Sequence, residues 1–275
     1  MRSVVALIWL CWLGSYPLQA DEKIAVGQWQ WSIAAGYGYI ENPRAKAEPV
    51  TTYLLPSVQY YGERFYLDNF TLGYSLYEGQ HWLLDVQTRL NEDGFFFQLD
   101  GLDHLLATDL FSSRPIREDA DSPRQPDYAD INRNISYLGG LNASWLHGGT
   151  EVSLGYFHDI SGVHQGSETQ LRLRQRYPLS WGAVAVELGV TAKDSQLVNY
   201  YYRLTRAETG NRTVKQYTGS GINGHVRLVL NAPLTESWFF TGLLEYNRLG
   251  SGIHRSRLID KTNYWSVFAG VGYAF

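Results

Sequence analysis

Apolar and polar side chains alternate along most of the chain, and this pattern is typical of β-strands. The clearest case is segment 28–40, QWQWSIAAGYGYI, in which every odd position from 29 to 39 is apolar or aromatic. Its rings lie toward the two ends and its aliphatic side chains lie between them. Strands that face lipid have this order, because aromatic rings favour the two interfaces of a membrane and aliphatic groups favour its hydrocarbon.

The same alternation recurs in further segments, and each predicts a strand. They are 50–60, 70–76, 82–90, 135–145, 152–160, 171–177, 184–190, 222–230, 238–246 and 265–275, with a weaker one at 95–99. Single-chain bacterial barrels have an even number of strands. We therefore expect twelve strands, which includes the weak segment, with ten as the alternative.

The connections between these segments alternate in length, apart from a tight turn near 77–80. Short ones lie at 61–63, 91–94, 147–149, 178–181 and 231–237, and long ones at 41–49, 100–133, 161–167, 193–221 and 248–262. Outer-membrane barrels alternate short periplasmic turns with long outer loops. The sequence thus predicts an all-β fold: one transmembrane antiparallel up-and-down β-barrel over 21–275. A soluble β-sandwich is the alternative, and aromatic residues at both ends of the strands argue against it.

The last predicted strand keeps its apolar stripe to the final residue. The stripe consists of Trp265, Val267, Val271, Tyr273 and Phe275. In lipid every backbone amide must be paired within the protein, so we expect this strand to close on the first one along its length. Strands that end in Phe also resemble the signal that the barrel-assembly machinery recognises, which makes that machinery an expected partner.

The first twenty residues resemble a secretory signal peptide. A basic start at Arg2 precedes an apolar run at 4–13, and the segment ends in LQA at Ala20. We expect cleavage before Asp21, export through the periplasm and residence in the outer membrane. The single cysteine, Cys11, falls inside this leader, and the net charge of −4 argues against a nucleic-acid partner.

Charged residues occupy several positions that the alternation places inside the barrel. The expected lumen charges are Arg89, Arg172, Arg174, Arg176 and Arg227 against Asp85, Glu151, Asp159, Glu168, Glu187 and Glu245. A selective pore carries a surplus of one sign. This near balance favours cross-strand ion pairs that largely block the lumen, with a channel for small zwitterions as the alternative.

Polar residues cluster in the segment FHDISGVHQGSE. It contains Asp159, Ser161 and His164, the residue types of a serine hydrolase. His158 and Asp159 point to opposite faces of one strand, so we favour a polar outer loop over a lipid hydrolase. We expect neither a metal site nor a cofactor, since no regular spacing fixes the ligands.

Three segments resemble the MipA/OmpV family of outer-membrane proteins. They are LLPSVQYYGERFYLDNFTLGYSLYEGQHWLLDVQTRL, NYYYRLTRAET and YLGGLNASWLHGGTEVSLGYFHDISGVHQG, the last with the pattern Asp159, Ser161, His164 and Gly166. The resemblance implies a non-enzymatic scaffold that brings together a lytic transglycosylase and a peptidoglycan synthase, or a surface adhesin.

Lipid and lipopolysaccharide are the other expected partners. The basic residues His254, Arg255 and Arg257 lie in the last predicted loop and could meet lipopolysaccharide phosphates.

Overall fold

The strands form a closed antiparallel barrel in which each strand pairs with its neighbours in sequence and β1 pairs with β12. The computed structural model describes residues 26–98, 131–209, 216 and 219–275, so the predicted cleavage site at Asp21 lies outside the described residues. The strands are β1 (Gln28–Ile40), β2 (Val50–Tyr61), β3 (Phe65–Asp68), β4 (Thr71–Glu78), β5 (Trp82–Leu90), β6 (Tyr137–His147), β7 (Thr150–Asp159), β8 (Ser167–Leu179), β9 (Gly182–Lys193), β10 (Gly221–Pro233), β11 (Trp238–Arg248) and β12 (Asn263–Ala274). Three helices, α1 (Glu92–Gln98), α2 (Ser195–Tyr202) and α3 (Ser251–His254), lie in the connections.

The prediction of twelve strands is confirmed, but one strand was placed wrongly. Positions 95–98 of the weak segment belong to helix α1, in which Phe95, Phe96 and Phe97 are all buried. A strand on a barrel wall buries only alternate residues, so three consecutive buried rings fit the helix. The twelfth strand is β3, which has four residues.

Strand β3 also restores the regular alternation of the connections. The segments 62–64, 79–81, 148–149, 180–181 and 234–237 lie at one end of the barrel, and the long connections lie at the other together with the turn at 69–70. Outer-membrane barrels keep their short turns in the periplasm, so the end with the helices is the outer end. Among the described residues, no helix has the length and apolar character needed to cross a membrane.

The outward faces of the strands carry the apolar residues that the alternation predicted. Trp29, Trp82 and Trp238 are exposed near the periplasmic end, and Tyr156 and Trp265 are exposed toward the outer end. Leucine and valine side chains occupy the positions between them, including Leu154, Leu171 and Leu244. Together they form the two aromatic girdles and the aliphatic band of a lipid-facing surface.

Strand β12 closes the barrel with both of its edges paired. It pairs with β1 from Ser32↔Ala274 to Ile40↔Ser266 and with β11 along its whole length. Phe275 lies just past the strand, where its backbone N–H donates to the carbonyl of Trp31 at 2.9 Å. At Gly36 of β1, a Cβ atom would overlap the carbonyl oxygen of Ala269, so only glycine permits this close approach of the two strands.

The barrel wall is short at the hairpin formed by β3 and β4, because β3 has only four residues. Strand β2 pairs with β3 only at Gln59, Tyr60 and Tyr61. Farther along β2, the Asn69 side chain accepts from the backbone N–H of Val58 (3.0 Å), and the Asn69 N–H donates to the Val58 carbonyl (2.8 Å). The backbone N–H groups of alternate residues in a strand point to the same neighbouring strand. Position 56 therefore points in the same direction as Val58, toward the short part of the wall, and Pro56 has no N–H there. Proline is tolerated at such edges because it has no donor to satisfy.

Candidate functional site: the lumen and its outer cap

An apolar cap fills the outer end of the barrel. The three helices contribute buried side chains to one cluster with residues of the strand ends. Its members include Phe95, Phe96, Phe97, Tyr201, Tyr202, Ile253, Tyr264 and Phe268. The cap closes the outer mouth with close-packed side chains.

Buried polar contacts fix helix α1 in the cap. Lys193 Nζ at the end of β9 donates to Asp93 Oδ2 at 2.6 Å, and the Tyr202 hydroxyl donates to Asp93 Oδ1 at 2.5 Å. Arg44 donates to the carbonyl oxygens of Phe96 (3.0 Å) and Ile131 (3.1 Å). A buried ion pair is stable only when further hydrogen bonds satisfy its members, and Tyr202 supplies one of them.

Asp159 organises the loop between β7 and β8. Its Oδ1 accepts from the backbone N–H of Ser161 (2.9 Å) and from the Ser161 hydroxyl (2.6 Å). Its Oδ2 accepts from the backbone N–H groups of His164 (2.6 Å) and Gln165 (2.9 Å). One carboxylate therefore holds three backbone donors of a tight turn, which is the usual role of a short acidic side chain in a turn.

His164 links this loop to the cap. Its Nδ1 accepts from the backbone N–H of Gly166 (2.9 Å), so Nε2 carries the proton and donates to Ser136 Oγ (3.0 Å). The Tyr201 hydroxyl lies 3.1 Å from the same Ser136 oxygen. Burial lowers the pKa of His164, although the nearby Asp159 carboxylate acts in the opposite direction, and the ring is held neutral.

The loop does not assemble the hydrogen bonds of a serine hydrolase. In that machinery the histidine takes the proton of the serine, and the acid orients the histidine. Here Ser161 Oγ donates directly to Asp159 and accepts from the backbone N–H of Tyr137 (3.0 Å). His164 contacts a different serine, Ser136, which is fully buried.

Ion pairs line one side of the inner wall below the cap. Glu187 on β9 accepts from Arg174 on β8 (2.7 Å) and lies 3.4 Å from Arg227 on β10. Arg227 also donates to Glu245 on β11 at 2.6 Å, and Arg174 lies 3.4 Å from Glu151 on β7. Five adjacent strands are thus joined by a network of alternating charges.

The remaining predicted lumen charges lie around this network. Arg89 is 3.8 Å from Glu168, and Asp85 accepts from the Ser75 hydroxyl at 2.8 Å. Arg172 donates to Ser153 Oγ at 3.2 Å. Arg176 is half-buried at the periplasmic end.

The Arg174–Glu187 pair lies between two spaces of different size. Toward the outer end, Glu187 lines an inner chamber of about 40 Å³, which is further lined by Glu168, Arg172 and Asp93. Toward the periplasm, Arg174 lines a vestibule of about 610 Å³ that is also bounded by His81, His147 and Arg176. The lumen is therefore wide at its periplasmic mouth, narrow at the ion pairs and filled at the cap.

Within the described residues, no group of three or more His, Cys, Asp or Glu side chains has the arrangement of a metal site.

The model of the family described as "MltA-interacting protein MipA" matches residues 33–275. The chain belongs to this family. It is similar to outer membrane protein OmpV of Vibrio cholerae serotype O1, at 23% identity over 90% of this chain and 87% of the relative. It is also similar to the MltA-interacting protein of Escherichia coli K12, at 21% identity over 92% of this chain and 93% of the relative. Its place is thus the outer membrane, as the strand pattern predicted.

Solved structures similar to this chain include outer-membrane barrels. OprD of Pseudomonas aeruginosa matches 92% of this chain and 66% of its own, with 8% identity and a TM-score of 0.38.

Proposed function

We propose that this barrel is a scaffold that holds murein-remodelling enzymes at the periplasmic face of the outer membrane. The observation that carries the proposal is the closed outer end of the lumen: the apolar cap, with the ion pairs below it, leaves the outer surfaces and the periplasmic vestibule as the accessible parts of the molecule. A relative that matches 92% of this chain is named MltA-interacting protein. That name supports a lytic transglycosylase as one partner, and a peptidoglycan synthase is the second that we expect.

The docking surface is the periplasmic rim, because murein and its enzymes lie on that side. The rim consists of five short turns around the mouth of the vestibule. Gln80 and Glu236 are exposed on two of these turns, and His147 is exposed at the end of β6 next to a third. A rim of short turns is rigid, so a partner can dock without a large cost in ordering loops.

Site-specific photocrosslinking in living cells tests this proposal. A photoreactive amino acid placed at Gln80 or Glu236 should crosslink to murein enzymes, which mass spectrometry of the purified adducts would identify. The same probe at Arg206 or Asp260, both exposed at the outer end, serves as the matched control. Adducts with murein enzymes from the outer positions alone, or from neither set, would contradict the proposal.

A further inference from the structure

A groove of about 420 Å³ lies on the lipid-facing wall across β8, β9, β10 and β11. Its sides are the apolar residues Leu171, Leu173, Leu188, Val190 and Val226. Tyr246 and Arg248 form its border on β11.

Gly224 of β10 lines the groove. This glycine shares the outward face with Val226, and a Cβ atom there would meet only the backbone oxygen of Gly189, at 3.8 Å. Its φ is not positive, so neither backbone conformation nor close packing requires a glycine at this position. Glycine weakens a strand and often marks a place where a ligand approaches closely.

Arg248 lies beside this glycine, as its direct partner across the β10–β11 ladder. Its side chain is exposed on the outward face, one outward position beyond Tyr246 toward the outer end of the barrel. The Tyr246 and Trp265 rings pack at 4.8 Å and belong to the outer aromatic girdle, which lies at the headgroup level of a membrane. Arg248 is therefore at the height of the outer-leaflet headgroups, and its guanidinium makes no hydrogen bond or ion pair with another described residue.

We propose that this groove binds one lipid A molecule of the outer leaflet, with an acyl chain over Gly224 and a phosphate on Arg248. An arginine at this height binds phosphate through two parallel charge-assisted hydrogen bonds. The aliphatic floor below it continues toward the middle of the membrane, in the direction that an acyl chain takes from its headgroup. This site is independent of the scaffold proposal, since it lies on the lipid-facing wall and not on the periplasmic rim.

Native mass spectrometry of the purified barrel tests the site. Detergent-released protein is titrated with bisphosphoryl lipid A, with lipid A from which the phosphates have been removed, and with phosphatidylglycerol. We expect Arg248→Gln to lower the retention of bisphosphoryl lipid A about ten-fold, because one charge-assisted contact is lost, and to leave the dephosphorylated form unchanged. Gly224→Leu should lower the retention of both forms, because its side chain fills the groove.

Two matched variants control for general effects of substitution. Gly242→Leu adds the same side chain on the outward face of β11 outside the groove, and Arg64→Gln removes an exposed cation at the periplasmic end; both should bind as the unmodified protein does. Folding of every variant is verified by heat-modifiable migration. Equal retention of bisphosphoryl lipid A by Arg248→Gln and Arg64→Gln would overturn the phosphate contact. Equal retention of phosphatidylglycerol and lipid A would overturn the assignment to lipid A.

Discussion

At the scale of single residues, Asp159 and His164 show how one polar motif stabilises a loop. Asp159 accepts three backbone N–H groups, and His164 connects the same loop to Ser136 next to the cap. Both side chains are buried. Groups that are buried and fully hydrogen-bonded specify one conformation, and removal of one member leaves its partners unsatisfied.

Substitution of Asp159 should destabilise the outer end of the barrel. Asp159→Ala removes the acceptor of three buried or half-buried donors, so we expect a loss of about 2–4 kcal/mol in the free energy of unfolding. The measurement is urea unfolding of the barrel in detergent, followed by tryptophan fluorescence. Asp260→Ala, at an exposed acid of the last loop, is the control and should change stability by less than about 0.5 kcal/mol. An equal effect of the two variants would show that Asp159 does not organise the loop.

His164 should make stability depend on pH. Burial lowers its pKa below the ordinary value of 6.5, so the unfolded chain binds a proton more readily than the folded one. Its contribution is therefore complete above about pH 6.5 and is lost as the pH falls through the lowered pKa of the folded state. Unfolding free energies measured from pH 8 down to about pH 5 should fall in the unmodified protein more steeply than in His164→Gln.

His81→Gln, at an exposed histidine of the periplasmic rim, provides the control for that titration. The unfolding free energy of His81→Gln should depend on pH as that of the unmodified protein does. If His164→Gln also had the pH dependence of the unmodified protein, His164 would not be the titrating group.

At the scale of elements, helix α1 is one of the three helices that close the outer mouth. It carries three buried phenylalanines and is fixed by the Asp93 contacts with Lys193 and Tyr202. A helix of seven residues has little stability of its own. Its position therefore depends on these contacts and on the packing of its rings.

Loss of Asp93 should release this helix. Asp93→Ala leaves Lys193 buried without its carboxylate, at a cost of about 3–5 kcal/mol. We expect cleavage by external protease on whole cells at new sites near α1, together with a lower unfolding midpoint. Asp93→Asn keeps the hydrogen bond from Tyr202, so its unfolding midpoint should lie between those of the unmodified protein and Asp93→Ala. A protease pattern that is unchanged in both variants would show that the Asp93 contacts do not hold helix α1 in place.

Deletion of Phe275 tests the closing strand. The residue is 80% exposed, so its ring adds little burial, but its backbone N–H pairs with Trp31 and its ring packs on Tyr273 at 5.0 Å. An unpaired backbone group in lipid costs several kcal/mol. We expect the truncated chain to give much less heat-modifiable barrel in the outer membrane, whereas Phe275→Tyr should assemble normally. Normal assembly of the truncated chain would contradict this role.

The strands could be predicted from sequence because one physical rule places them: side chains of a barrel wall alternate between lipid and lumen. Strand β3 was missed because its four residues are too few to display a period. Helix α1 was mistaken for a strand because the apolar run at 95–97 fits either element. The ion pair between Lys193 and Asp93 could not be predicted, because the two residues lie 100 positions apart in the sequence and come into contact only when the barrel is closed.

At the scale of the whole molecule, the barrel has three layers along its axis. The vestibule opens to the periplasm, the ion pairs around Glu187 follow, and the cap closes the outer end. The presence of ion pairs in the lumen could be predicted from the sequence, because charged residues of both signs recur at the alternate positions that face inward. Their arrangement follows from register: Arg174↔Glu187 and Arg227↔Glu187 are directly paired positions across β8, β9 and β10.

This layering supports our central proposal, that the lumen is closed and that the protein acts through its periplasmic rim and its lipid-facing wall. Single-channel recording in a planar bilayer tests the closure most directly. The purified mature barrel should insert, as verified by its heat-modifiable form recovered from the bilayer lipid, and give no conductance steps above the bare membrane. A general-diffusion porin recorded under the same conditions should give steps. Reproducible, uniform steps from the unmodified barrel would contradict the account and would make it a channel.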